Sequence, residues 1–124
     1  MKKCLMLIVL LGTCLGVEIG GNSLVQVGED KYTLELSSYG QTLSRLWVEC
    51  EDVNSSVHWT TDAVYTHNHM GQSFTTKMIN KRSYSSSNGY AYTMFGPMPS
   101  MKGETITIWV SGECGEGSIE ITLK

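Results

Sequence analysis

The chain has 124 residues, 9 Lys+Arg against 12 Asp+Glu, a net charge of −3 and 41% hydrophobic residues. That length accommodates one small domain. An acidic balance, with Lys81-Arg82 the only paired basic residues after the N-terminus, argues against nucleic acid or an anionic membrane surface as partner.

The first sixteen residues read as a targeting segment. Lys2 and Lys3 precede an apolar run from Cys4 to Leu11, and small residues follow at Gly12, Thr13, Cys14 and Gly16. A basic start, a short apolar core and a small-residue exit form the layout of a secretory signal peptide, too short to anchor a bilayer. Cleavage after Gly16 divides the chain into a signal peptide, residues 1–16, and an exported domain, residues 17–124, placed outside the cell or in a periplasm. Leu11-Gly12-Thr13-Cys14 is also similar to a bacterial lipobox, which would make Cys14 a lipid anchor; Thr13 departs from that pattern. Without residues 1–16 the chain keeps seven basic and twelve acidic residues, a net charge of −5. No later stretch holds eighteen consecutive apolar residues, so no transmembrane helix is expected.

From residue 17 onward the sequence reads as strands. Leu24–Val27 and Tyr32–Leu36 flank the turn-forming Gly28-Glu29-Asp30. Leu43–Cys50 alternates, with Leu46, Val48 and Cys50 on one side and Arg45, Trp47 and Glu49 on the other. Val57–Thr61, Val64–His67 and Gln72–Ile79 are rich in β-branched and aromatic residues. Asn88-Gly89 is a hairpin signal between Tyr84–Ser87 and Tyr90–Phe95. Ser83–Asn88 has the composition of a mobile loop tip. Thr105–Ser111 places Ile106, Ile108 and Val110 on one face. Ser118–Leu123 does the same with Ile119, Ile121 and Leu123, and the glycines between them suit a tight connection. No window keeps helical spacing. About eight short strands at regular intervals predict an all-β domain, a single antiparallel β-sandwich of jelly-roll type.

Two cysteines remain after cleavage, Cys50 and Cys114. In an oxidising compartment they are expected to pair, closing a long loop. A catalytic Cys with His58 as base would need a free thiolate.

The candidate sites are few. Trp47 and Trp109 fall on the polar faces of their strands, and Tyr90 and Tyr92 share a face. Exposed aromatics on a sheet form a platform for a glycan or a partner protein, and these four residues are the expected ligand-binding set. Tyr39 and Tyr65 lie near turns. His67 and His69 share a side of an extended strand, and with Met70 they offer a soft donor set for copper, to which Met78, Met94, Met98 and Met101 are further candidate donors. Glu49, Glu51 and Asp52 form an acidic rim of the kind that calcium sites and glycosidases use. His58, Asp62 and a serine make a triad only on paper. Asn54-Ser55-Ser56 is a glycosylation sequon. No nucleophile elbow, zinc-protease motif or phosphate loop occurs. The expectation is a secreted, non-catalytic binding domain for a glycan or protein, with an exported copper-binding protein as the alternative.

Overall fold

The computed structural model describes residues 16–124. Residues 1–15 of the expected signal peptide 1–16, including the alternative lipid site Cys14, lie outside the described residues. Val17 is already part of the core, and its N–H donates to the Glu116 carbonyl at 3.1 Å.

The described residues form an all-β fold of eleven strands: β1 (Ile19–Gly21), β2 (Leu24–Gly28), β3 (Lys31–Leu34), β4 (Ser44–Glu49), β5 (Ser56–Thr61), β6 (Val64–His69), β7 (Gln72–Lys77), β8 (Asn80–Tyr84), β9 (Tyr90–Phe95), β10 (Thr105–Gly112) and β11 (Gly117–Leu123). A single 3-10 turn, Pro99–Met101, interrupts them. Three sheets result. The smaller of the two main sheets runs β1-β4-β9, the larger runs β2-β3-β11-β10-β5-β8, and β6-β7 is a separate ribbon.

The alternation read from the sequence is what builds the core. Ile106, Ile108 and Val110 of β10 and Ile119, Ile121 and Leu123 of β11 are all buried, with Ile106 opposite Ile121 and Ile108 opposite Ile119 across an antiparallel ladder. From the other main sheet come Leu46 and Val48 of β4 with Ala91 and Phe95 of β9. All belong to one hydrophobic cluster, closed by Trp59 at 0% exposure. The indole of Trp59 keeps its N–H satisfied by donating to Ser83 Oγ at 2.8 Å, so its burial leaves no unpaired donor.

Five expectations need correction. The strand count is eleven rather than about eight. The extra strand β1 is hidden in sequence by Gly20-Gly21, and the stretch expected as one strand over Gln72–Ile79 ends at Lys77. Ile79 instead turns into the core at 4% exposure before β8 begins. Not every pair is antiparallel: β3 runs parallel to β11, Tyr32 opposite Ile121. Those strands come from opposite ends of the domain, so no local turn encodes their direction.

The Asn88-Gly89 turn forms, but it joins no hairpin. β8 pairs with β5 in the larger sheet, whereas β9 pairs with β4 in the smaller one. The turn therefore carries the chain from one sheet to the other. Finally, Ser83–Asn88 is bound into the fold rather than left as a loose tip. Ser85 is 2% exposed, its N–H donates to the Ser55 carbonyl at 3.0 Å, and its hydroxyl donates to the Asp52 carbonyl at 2.6 Å.

The expected disulfide is present. Cys50, just after β4, bonds to Cys114 in the β10–β11 connection, with Cα atoms 5.0 Å apart. It cross-links the smaller sheet to the larger one.

Candidate functional site

The outward face of the smaller sheet is a grid of side chains fixed by strand register. Residues directly opposite each other on a ladder share a face, and every second residue along a strand returns to it. Gly20 lies opposite Trp47, and Trp47 opposite Tyr92. One step along, Glu49 lies opposite Tyr90; one step the other way, Arg45 lies opposite Met94. Because Leu46, Val48, Ala91 and Thr93 point into the core, these residues point away from it.

Three of the four expected aromatic residues are thus brought together. Trp47, Tyr90 and Tyr92 are half-buried on one surface, with the Tyr90 and Tyr92 ring centroids 6.2 Å apart. Tyr92 is held on two sides. The Arg45 guanidinium sits 5.0 Å over its ring centroid, a cation–π arrangement. Asn88 Nδ2 donates to its hydroxyl at 2.9 Å. The same Asn88 accepts from the Tyr90 backbone N–H at 3.0 Å through Oδ1, so one turn residue holds the Tyr92 hydroxyl and the start of β9. Trp47 lies against the bare backbone of Gly20, where a Cβ would come within 2.8 Å of the indole Cε2. With Tyr32 and Tyr90 it walls a depression of about 130 Å³, and Glu18 and Glu49 stand at its rim.

Trp109 does not join them. It sits on β10 in the larger sheet, opposite Ser118 and Thr60, 41% exposed. Its face is a Thr- and Ser-rich one, separate from the Trp47 grid. A surface depression beside Trp109 is bounded by Ser111, Glu116 and Ser118.

The expected copper ligands lie on the β6–β7 ribbon, every residue of which is exposed. His67 and His69 do share one side of β6. The His67 ring, however, packs between two aromatic rings, 5.6 Å from Tyr65 and 5.6 Å from Phe74. Met70 forms the ribbon's tip with Gly71, at φ 51° and 80°, and is 91% exposed. The other methionines are on different elements: Met101 is buried, Met94 lies on β9, Met98 is exposed near the 3-10 turn, and Met78 packs against the core at the ribbon's base. Among the described residues no three His, Cys, Asp or Glu side chains gather to hold a metal ion.

The catalytic sketches come apart. Cys50 and Cys114 are joined, so neither offers a thiolate. His58 Nε2 bonds Asn80 Oδ1 at 2.8 Å, while Asp62 Oδ1 accepts the Thr107 N–H at 2.8 Å; nothing aligns the two for proton transfer. Glu51 and Asp52 are exposed in the turn after β4, away from the strand that presents Glu49. Asn54 is exposed in the same turn at φ 58°, a conformation asparagine tolerates.

Sequence reasoning missed Gly20, Arg45 and Lys81 as parts of this surface. Arg45 was readable as a same-face neighbour of Trp47. Lys81 was not, because it arrives from the other sheet: it lines a cleft of about 490 Å³ with Arg45, Tyr92, Thr93 and Met94. No known protein-family model matches this chain, and no curated protein is significantly similar to it.

Proposed function

We propose that the chain is an exported, non-catalytic binding domain, a β-sandwich of jelly-roll type, that recognises an extracellular glycan through the outward face of its smaller sheet. The observation that carries this reading is the convergence of Trp47, Tyr90 and Tyr92 on one surface, with Trp47 seated against Gly20 and Tyr92 held by Arg45 and Asn88. Preoriented rings suit a flat apolar sugar face, because little side-chain entropy is lost on binding. Glu18, Glu49 and Arg45 around them supply the hydrogen-bonding rim that a saccharide's hydroxyls require. The disulfide supports placement in an oxidising compartment.

The test is binding of the purified protein to a glycan array, repeated with Trp47→Ala. Retention of specific glycans that disappears in the variant, with an unchanged circular dichroism spectrum, supports the reading. A folded variant that binds every glycan as before removes its basis, and capture of a protein ligand alone would shift the same face to protein recognition.

Copper binding by His67, His69 and Met70 is a second reading, favoured by the shared side of the two histidines. Native mass spectrometry with added copper decides it. One retained ion, lost in the His67→Ala/His69→Ala double variant, promotes it; no retention at micromolar copper eliminates it.

A further inference from the structure

The smaller sheet's outward face is electrostatically polarised. Glu18 and Glu49 stand at one end and Arg45 at the other, four residues along β4 from Glu49. At about 3.3 Å per residue that separates the two ends by roughly 13 Å, more than a Debye length at physiological salt. The basic end continues into the cleft between β8 and β9, where Lys81 joins Arg45. These are the edge strands of the two main sheets, so the cleft lies along an open edge. Two cations therefore line one cleft in a chain whose net charge is −3. Their mutual repulsion is relieved by an anion between them.

The two differ in what they present. Arg45 is seated over the Tyr92 ring, 5.0 Å from its centroid, and its guanidinium can offer two N–H donors to a two-oxygen acceptor. Lys81 adds a point charge. The cleft, about 490 Å³, falls within the usual size of a small-ligand site. It adjoins the Trp47–Tyr92 pair on which a sugar ring would rest.

We propose that the ligand of this face is an acidic saccharide, its anionic group held in the β8–β9 cleft by Arg45 and Lys81 and its ring lying along the Trp47–Tyr92 pair. The proposal rests on the glycan-binding reading and names the charge of the ligand.

Calorimetry of the purified full chain tests it with four probes: oligogalacturonate, its methyl ester, dextran sulfate and polyglutamate. Wild-type protein is expected to bind oligogalacturonate, and the methyl ester at least about tenfold more weakly, as expected on losing a charge-assisted bond. Arg45→Gln and Lys81→Gln are each expected to cost a similar factor without changing the melting temperature much. Lys81→Gln keeps the test meaningful if Arg45→Gln disturbs Tyr92. Affinity should fall as salt rises. Dextran sulfate binding with the same dependence on Arg45 and Lys81, and no response to oligogalacturonate, supports the site and assigns the anion as a sulfate ester. Equal binding of polyglutamate overturns the proposal, since charge alone would then suffice. Binding of neutral glycans that needs Trp47 but ignores both cationic variants also overturns it, while leaving the glycan-binding reading intact. No binding of any saccharide fells both.

Discussion

Gly20 and Trp47 face each other across the β1–β4 ladder, and the indole occupies the space that a side chain at position 20 would need. The glycine is therefore what lets Trp47 lie down on the sheet instead of standing out from it. An indole pressed against backbone loses rotamer freedom in the folded protein and gains a defined orientation, which a binding platform requires.

Replacing Gly20 by valine should force the indole off the strand. The expected cost is about 1–3 kcal/mol, typical of overpacking a tight contact, measured by denaturant unfolding. Glycan binding should weaken together with it, and the near-ultraviolet circular dichroism should change. An unaltered spectrum would mean that Trp47 does not depend on Gly20 for its position.

The two tryptophans on outward faces should separate cleanly in binding assays. Trp47→Ala is expected to abolish saccharide binding, whereas Trp109→Ala, on the other main sheet, should leave it within a factor of two or so, as for a site with no shared partners. Parallel loss in both variants would place the ligand elsewhere on the molecule.

Cutting the Cys50–Cys114 bridge should be costly because it closes a long loop, 64 residues apart in sequence. Loop-closure entropy puts the stabilisation at about 4 kcal/mol. A Cys50→Ala/Cys114→Ala variant, or the reduced protein, should show that loss in chemical denaturation. A loss below about 1 kcal/mol would indicate that the unfolded chain is already compact.

Asn88 and Gly89 should contribute through the platform as well as through the turn. Asn88→Ala removes the bonds to the Tyr92 hydroxyl and the Tyr90 N–H and is expected to cost about 1 kcal/mol, with a larger proportional loss of binding. Gly89→Ala must hold a side chain at φ 86°, a conformation disfavoured by about 1 kcal/mol. Unchanged binding by Asn88→Ala would show that the tyrosines are positioned by packing alone.

The β6–β7 ribbon should be dispensable for folding. Its bases meet where the Met78 N–H donates to the Ala63 carbonyl at 2.9 Å, so an Asn-Gly link between those residues can replace Val64–Lys77. All of the ribbon's strand residues are exposed, and stability should change by no more than about 1 kcal/mol. Failure of the shortened chain to fold would reveal that the ribbon contributes to the core.

Local pattern was enough to read several parts of this protein directly. The alternation in Thr105–Gly112 and Gly117–Leu123 fixed which residues are buried, because a strand's two faces are set by its period of two. The all-β class and the Cys50–Cys114 pair were equally legible. Trp47 was readable as pointing away from Leu46 and Val48. What needed the tertiary structure is everything that depends on which strand lies beside which. β8 and β9 look like a hairpin around Asn88-Gly89 yet belong to different sheets. β3 finds β11 from the opposite end of the domain. Trp47 and Trp109 carry the same sequence signature, but only Trp47 is joined by Tyr90 and Tyr92. Lys81 meets Arg45 across a boundary that no spacing encodes. Backbone periodicity is a property of neighbours in sequence, whereas sheet partnership is chosen by the burial of the whole apolar set at once.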